Sequence, residues 1–164
     1  MNNRMNNRMK ELIDEVSDYD CPRSSIRIKD ICLLLYPSFK EVDGAIILEL
    51  LEDGSMPDKL NMGKIIHYFG DLTGYEGSCN EIRLNDYIKY PKGNGLSVLK
   101  FTLQLQKSWM AKIKIEYPDY KFCFILFYDG EFANLRFHRI RVNEIYLADD
   151  LEDYEEEGVL VVEI

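Results

Sequence analysis

The stretch Lys121–Arg141, KFCFILFYDGEFANLRFHRIR, decides how this chain is read. An aromatic-rich apolar run from Lys121 to Tyr128 leads into Asp129-Gly130, a dipeptide whose tolerance of positive φ suits a two-residue type I′ hairpin turn. Phe132 to Arg141 then reads as the returning strand. Leu135, Phe137 and Arg139 share one parity and Arg136, His138 and Ile140 the other, so neither face is wholly apolar. One face of the hairpin is therefore expected to be wetted or covered by a partner.

Working toward the C-terminus, Asp149–Glu157 reads as an exposed acidic turn or short helix, and Val159–Ile164 as a final strand. An acidic segment clipped between two ordered strands is presented rigidly. Working toward the N-terminus, Leu99, Leu103, Met110, Ile113 and Tyr117 share one helical azimuth, which predicts a long helix closed by Pro118 and flanked by Trp109. A strand reading through Phe101, Leu103 and Leu105 competes with it. The glycines at 70, 74, 77, 93 and 95 predict a long irregular connection over 70–95 with one short ordered piece.

Further upstream, Met62, Ile65, Ile66 and Phe69 form a helical stripe before Gly70, with Ser55, Pro57 and Asp58 announcing its start. Ser38 and Glu41 have capping-box spacing, which predicts a helix burying Phe39, Val42, Ile46, Ile47 and Leu50 up to Gly54. Ile28, Ile31, Cys32 and Leu35 repeat helical spacing before Pro37, although Ile26 to Lys29 alternates as a strand does; the stripe favours helix. Met9, Leu12, Ile13 and Val16 mark a first amphipathic helix ending before Cys21 and Pro22. The tandem MNNR of residues 1–8 is read as a reflection of alternative start codons or as a frayed terminus. The expectation is an α+β fold, with N-terminal helices packed on a small antiparallel sheet formed mainly by the C-terminal third, as a single domain over 9–164.

A length of 164 residues with 46% hydrophobic and 30% charged side chains fits one globular domain and excludes a disordered polymer. The chain carries 20 Lys and Arg against 29 Asp and Glu. All of the resulting excess lies after Val142, where Glu144, Asp149, Asp150, Glu152, Asp153, Glu155, Glu156, Glu157 and Glu163 stand without one Lys or Arg. That end repels phosphate, so a partner selected by charge is basic and is not nucleic acid. The opening MNNRMNNRMKE is polar, and no apolar run approaches the ~20 residues that span a bilayer, so neither leader nor membrane segment is expected. Cys21, Cys32, Cys79 and Cys123 fit neither a CxxC zinc pattern nor a compact disulfide framework. Reduced thiols in the cytoplasm follow, with Cys32 and Cys123 as small core fillers.

Candidate chemistry is sparse. A nucleophile, base and acid can be assembled from Cys123, His138 and Asp129, but a thiol inside KFCFILF is buried rather than activated. His67 and His138 have no metal-ligand spacing, and DDLEDYEEE lacks the alternating ligands and central Gly of a calcium loop. Gly93-Asn94-Gly95 is a turn rather than a phosphate loop, because no convincing strand precedes it. Arg136, Arg139 and Arg141 lie among aromatics, yet alternation splits them between faces, and pairing with the following carboxylates accounts for them. The chain is accordingly read as a non-enzyme without a cofactor.

In its order of helices, then KFCFILFYDGEFANLRFHRIR and ADDLEDYEEEGVLVVEI, the sequence resembles the small cytosolic immunity proteins encoded beside bacterial polymorphic or contact-dependent growth-inhibition toxins. The resemblance implies an inhibitor that binds one cognate toxin domain, such as a basic nuclease. It supplies no residue-by-residue motif. The partner-binding residues Asp149, Asp150, Glu152, Asp153, Tyr154, Glu155, Glu156 and Glu157 are nominated on charge, with Tyr154 as an amphipathic anchor.

Overall fold

A computed structural model describes residues 2–22, 25–26, 28–49, 57–89 and 93–164. In chain order its elements are β1 (Asn2–Met5), α1 (Asn7–Ser17), β2 (Ser25–Ile26), α2 (Ile28–Leu35), β3 (Ser38–Val42), β4 (Ala45–Glu49), α3 (Met62–Phe69), α4 (Leu72–Cys79), β5 (Ile82–Arg83), β6 (Ile88–Lys89), α5 (Gly95–Glu116), β7 (Phe122–Tyr128), β8 (Ala133–Arg139) and β9 (Gly158–Glu163). The fold is α+β. A five-stranded antiparallel sheet has the order β1-β9-β7-β8-β5, and two short ladders, β3-β4 and β2-β6, stand apart from it.

The central hairpin forms where the sequence placed it, with Phe122 opposite Arg139 and Tyr128 opposite Ala133. Its connection is a four-residue loop, not a two-residue turn: the Asp129 carboxylate accepts from the N–H groups of Glu131 (2.9 Å) and Phe132 (2.7 Å). The two-residue turn occurs instead at Asp43-Gly44, where φ of +48° and +83° gives the type I′ signature between Val42 and Ala45. Residues 38–49 are thus a β-hairpin, and the capping-box helix over 39–50 is not formed. Ile46, Ile47 and Leu48 are all buried, because β4 is covered on both sides, and such a strand shows no alternation to read. Leu50, Gly54 and Ser55 lie outside the described residues.

Residues 2–8 are not frayed either: Asn2 to Met5 pair in register with Glu163 to Leu160. A polar edge strand carries little signal of its own and takes its order from the strand beside it. The 70–95 region is mostly ordered, holding α4, β5 and β6. Asp71 caps α4 by accepting from Gly74 N–H at 2.7 Å, and Gly77 lets the Tyr146 ring come so close that a Cβ would stand 2.5 Å from it. Helix α3 starts not at Pro57 but at Asn61, whose side chain accepts from Lys64 N–H. Of its expected buried stripe only Ile65 is buried; Met62, Ile66 and Phe69 are exposed.

Helix α5 is the long helix expected. It buries Val98, Thr102, Leu105, Trp109 and Ile113, so Trp109 sits in the middle of the buried face rather than beside it. Its indole N–H donates to Leu34 O of α2 at 2.6 Å, and its ring meets Phe137 edge-on. The inner sheet face, including Phe122, Phe124, Leu126, Leu135, Leu160 and Val162, packs under α1 and α5. Cys123 is buried as expected, whereas Cys32 is exposed.

Two buried polar side chains of the α4 region join the hairpin β3-β4 to the main sheet. Glu76 accepts from Ile46 N–H (2.7 Å) with one oxygen and from Arg139 N–H (2.6 Å) with the other. One turn later, Asn80 accepts from Leu48 N–H (2.7 Å) and donates to Ile46 O (2.8 Å) and Phe137 O (3.2 Å). The two side chains occupy the place of a missing strand between β4 and β8. Arg141 completes the site with a two-pronged contact to Glu76 at 2.7 and 2.9 Å and a bond to Gly44 O. Removing one member of a buried ion pair costs on the order of 3–5 kcal/mol, because the other charge is stranded. Glu76→Ala is expected to lower the urea midpoint sharply and to release the 38–49 hairpin to rapid amide exchange; a midpoint within the wild-type error would refute this role.

Candidate functional site

The outer face of the main sheet is covered by the chain itself. After β8, residues 140–157 cross that face and set Tyr146, Leu147, Leu151 and Tyr154 against Cys123, Ile125, Val159 and Val161. The mixed parity of β8 is thereby explained without a partner. Arg136, on this face, pairs with Glu81 at 2.7 Å, donates to the Tyr146 hydroxyl and lies over the Phe127 ring. Arg141 pairs with Glu76 and, at 3.9 Å, Glu144, while Arg139 stacks on Tyr120 with its guanidinium carbon 3.6 Å from the ring centre. The arginines do pair internally, but not with the acidic segment.

Asp149–Glu157 is held from two directions. The Asp150 side chain caps a 3-10 turn over Leu151–Asp153 by accepting from Glu152 N–H, and Leu151 is buried beneath the turn. From the N-terminus, Asn6, only 1% exposed, uses its whole amide: Nδ2 donates to Glu157 O (2.7 Å) and Tyr154 O (3.2 Å), and Oδ1 accepts from Met9 N–H and Val159 N–H, both 3.0 Å. Asn6 is therefore both the cap of α1 and the staple of the acidic segment. Glu152 accepts from Asn7 N–H at 3.0 Å, where the positive end of α1 also favours a carboxylate. Tyr154 packs edge-on against Phe127 and is half-buried, so it braces the segment from behind.

The nominated residues divide accordingly. Asp149, Asp150, Asp153, Glu155 and Glu156 are exposed, and among the described residues none of them makes an ion pair. Glu152 and Glu157 are anchored, by side chain and by backbone respectively. The staple Asn6 escaped sequence reasoning, and its only signal was an Asn three residues before Met9 at the foot of an amphipathic stripe.

Cys123 and His138 are cross-strand neighbours, as the hairpin reading implied. They do not form a nucleophilic site. Burial first, and then the Glu163 carboxylate, push the Cys123 thiol up to about 12, and burial holds the His138 imidazole below its usual range. Asp129 is at the far end of the strand, ~20 Å away at about 3.3 Å per residue, with its carboxylate engaged in the loop. Among the described residues no group of three or more His, Cys, Asp or Glu side chains is placed to hold a metal ion. No described helix is long and apolar enough to cross a membrane.

With fold and site in view, comparison with known proteins places the chain. Residues 4–164 match the model of the Uncharacterized protein PM0498 family, and the chain belongs to that family. It is similar to Uncharacterized protein PM0498 of Pasteurella multocida (strain Pm70), with 29% identity over 128 residues that cover 74% of this chain and 75% of that protein. No solved structure matches it.

Two measurements check the site's internal logic. Asn6→Ala removes four hydrogen bonds from a buried position, where each group left unsatisfied costs about 1–3 kcal/mol. The variant is expected to lose stability and to speed amide exchange over residues 152–159; unchanged exchange there would show that the staple is dispensable. Folded His138 takes up its proton at lower pH than the unfolded residue, whose value is near 6.5. Its contribution to stability is thus complete above about pH 6.5 and is lost as pH falls through the folded pKa. Urea midpoints should drop more steeply from about pH 7 to 5 for the wild type than for His138→Gln, and parallel curves would contradict the burial of a neutral ring.

Proposed function

We propose that this chain is a cytoplasmic binding inhibitor of the immunity type, which engages a basic protein partner such as a toxin nuclease domain through the segment 149–157. The observation that carries the reading is a row of exposed carboxylates that form no ion pair among the described residues, Arg4 reaching only the Asp149 carbonyl, on a backbone stapled by Asn6 and Glu152. Such a row costs self-repulsion. A cationic groove relieves it and gains the complementary field, and because the segment is already ordered, little conformational entropy is lost on docking. Seated on a nuclease, the carboxylates would occupy phosphate positions and exclude substrate. A second reading, a general protein-interaction module, draws on the exposed apolar face of α3, where Met62, Ile66 and Phe69 align at i, i+4 and i+7 and Ile66 is 60% exposed.

Salt separates the two. Long-range steering is screened over about 8 Å at physiological ionic strength, whereas apolar docking is not. Stopped-flow association with a basic nuclease domain encoded beside this gene should slow by roughly tenfold or more from low to physiological salt, with a smaller change in dissociation. Asn or Gln at Asp149, Asp150, Asp153, Glu155 and Glu156, with Glu152 retained for its bond to Asn7, should slow association likewise. Exposed changes of this kind shift stability by only about 0.5 kcal/mol each. Salt-independent association that Ile66→Asp abolishes would instead select the α3 surface.

A further inference from the structure

A cavity of about 440 Å³ lies between α1, α5 and the β1-β9 edge of the sheet, within the range of roughly 300–1,000 Å³ typical of small-molecule sites. Ile13 and Val16 of α1, Leu103 and Met110 of α5, and Leu160 and Val162 of β9 give it an apolar wall. Its polar lining is selective. Lys100 and Lys107 both border it and no described Asp or Glu does, in a chain where carboxylates outnumber cationic side chains 29 to 20. Among the described residues neither lysine has a carboxylate partner. Lys100 is oriented by donating to Tyr19 O at 2.7 Å, which leaves it further protons to donate.

Gln106 also lines the cavity. It is 3% exposed, and its Nε2 is buried with no hydrogen-bond partner. A buried donor left unpaired is destabilising, and a turn of the Gln106 side chain toward the cavity would present it to a polar ligand atom that satisfies it. Positions 100, 103, 107 and 110 stand at intervals of three and four on one flank of α5, so the cationic and apolar groups follow each other along about 15 Å of helix at 1.5 Å per residue. An elongated apolar slot with an unpaired N–H donor and two ammonium groups matches one kind of small molecule. We propose that this cavity binds a free aliphatic carboxylate, with the hydrocarbon chain between α1 and β9 and the carboxylate taken by Gln106 Nε2 and the ammonium groups of Lys100 and Lys107.

The test is calorimetric titration of the full chain with dodecanoate below its micellar range, with dodecyltrimethylammonium as the cationic match and phosphatidylglycerol vesicles as the lipid match. Saturable one-to-one binding of dodecanoate is expected, with the cationic ligand at least tenfold weaker. Lys107→Glu, at an exposed position, should weaken dodecanoate at least tenfold, and Gln106→Leu, which keeps the wall apolar, severalfold; circular dichroism verifies that both remain folded. Absence of saturable binding, equal binding of the two amphiphiles, or dodecanoate binding indifferent to Lys107→Glu would each overturn the proposal. Vesicle binding without binding of monomeric dodecanoate would overturn it too, by moving the acyl source to a membrane.

Discussion

Glu76 and Asn80 stand one helical turn apart and bond the open edges of β4 and β8 at the same time. β5 pairs only with Asn134 and Leu135, so among the described residues the rest of that edge of β8 has no strand beside it. Unpaired backbone groups there would either be buried at a cost of kilocalories each or recruit another chain. A carboxylate and an amide one turn apart solve both problems, and Arg141 neutralises the buried charge while also bonding Gly44 O in the β3-β4 turn. Much else depends on this arrangement. It sets the hairpin against Phe137, and it fixes Arg141, from which residues 142–157 set out across the outer sheet face.

That same bridge explains why some of the fold was legible in the sequence and some was not. Elements whose stability comes from their own periodic face, such as α1, α5 and β7, announce themselves locally. Helix α4 does not: LTGYEGSC contains two glycines and has no apolar stripe, and it is held in place by Glu76, Asn80 and the close fit of Gly77 to Tyr146. Strand β1 likewise borrows its order from β9. The difference at 38–49 is of another kind, since Ser38 and Glu41 have capping-box spacing but Asp43-Gly44, starting two residues after Glu41, demands a turn, and turn chemistry prevails over a cap worth about 1 kcal/mol.

The acidic segment was visible as composition, while its mechanics were not. Charge counting treats Asp149 to Glu157 as equivalents, yet Glu152 is tied to the first turn of α1, Asp150 caps a turn, and Tyr154 faces inward onto Phe127. What spacing cannot reveal is a long-range partner, and Asn6 bonds across 148 and 151 positions of sequence. The consequence is a topological one: the start of the chain fastens its most charged stretch, so the exposed carboxylates are displayed on a framework whose two ends lock each other.

The stripe read along α5 is informative in its displacement. Leu103 and Met110 belong to an apolar flank that the core does not fill, while Val98, Thr102, Leu105 and Trp109 face the sheet and α2. A helix whose apolar arc is wider than its packed arc must expose the surplus, join a partner, or border a cavity, and α5 does the last. Because Leu160 and Val162 wall this cavity on the inner face while Val159 and Val161 carry the acidic segment's anchors on the outer face, β9 separates the two surfaces. The alternation of a single strand therefore puts Lys100 and Lys107 on one side of the sheet and the carboxylates at 149–157 on the other, and among the described residues neither set neutralises the other.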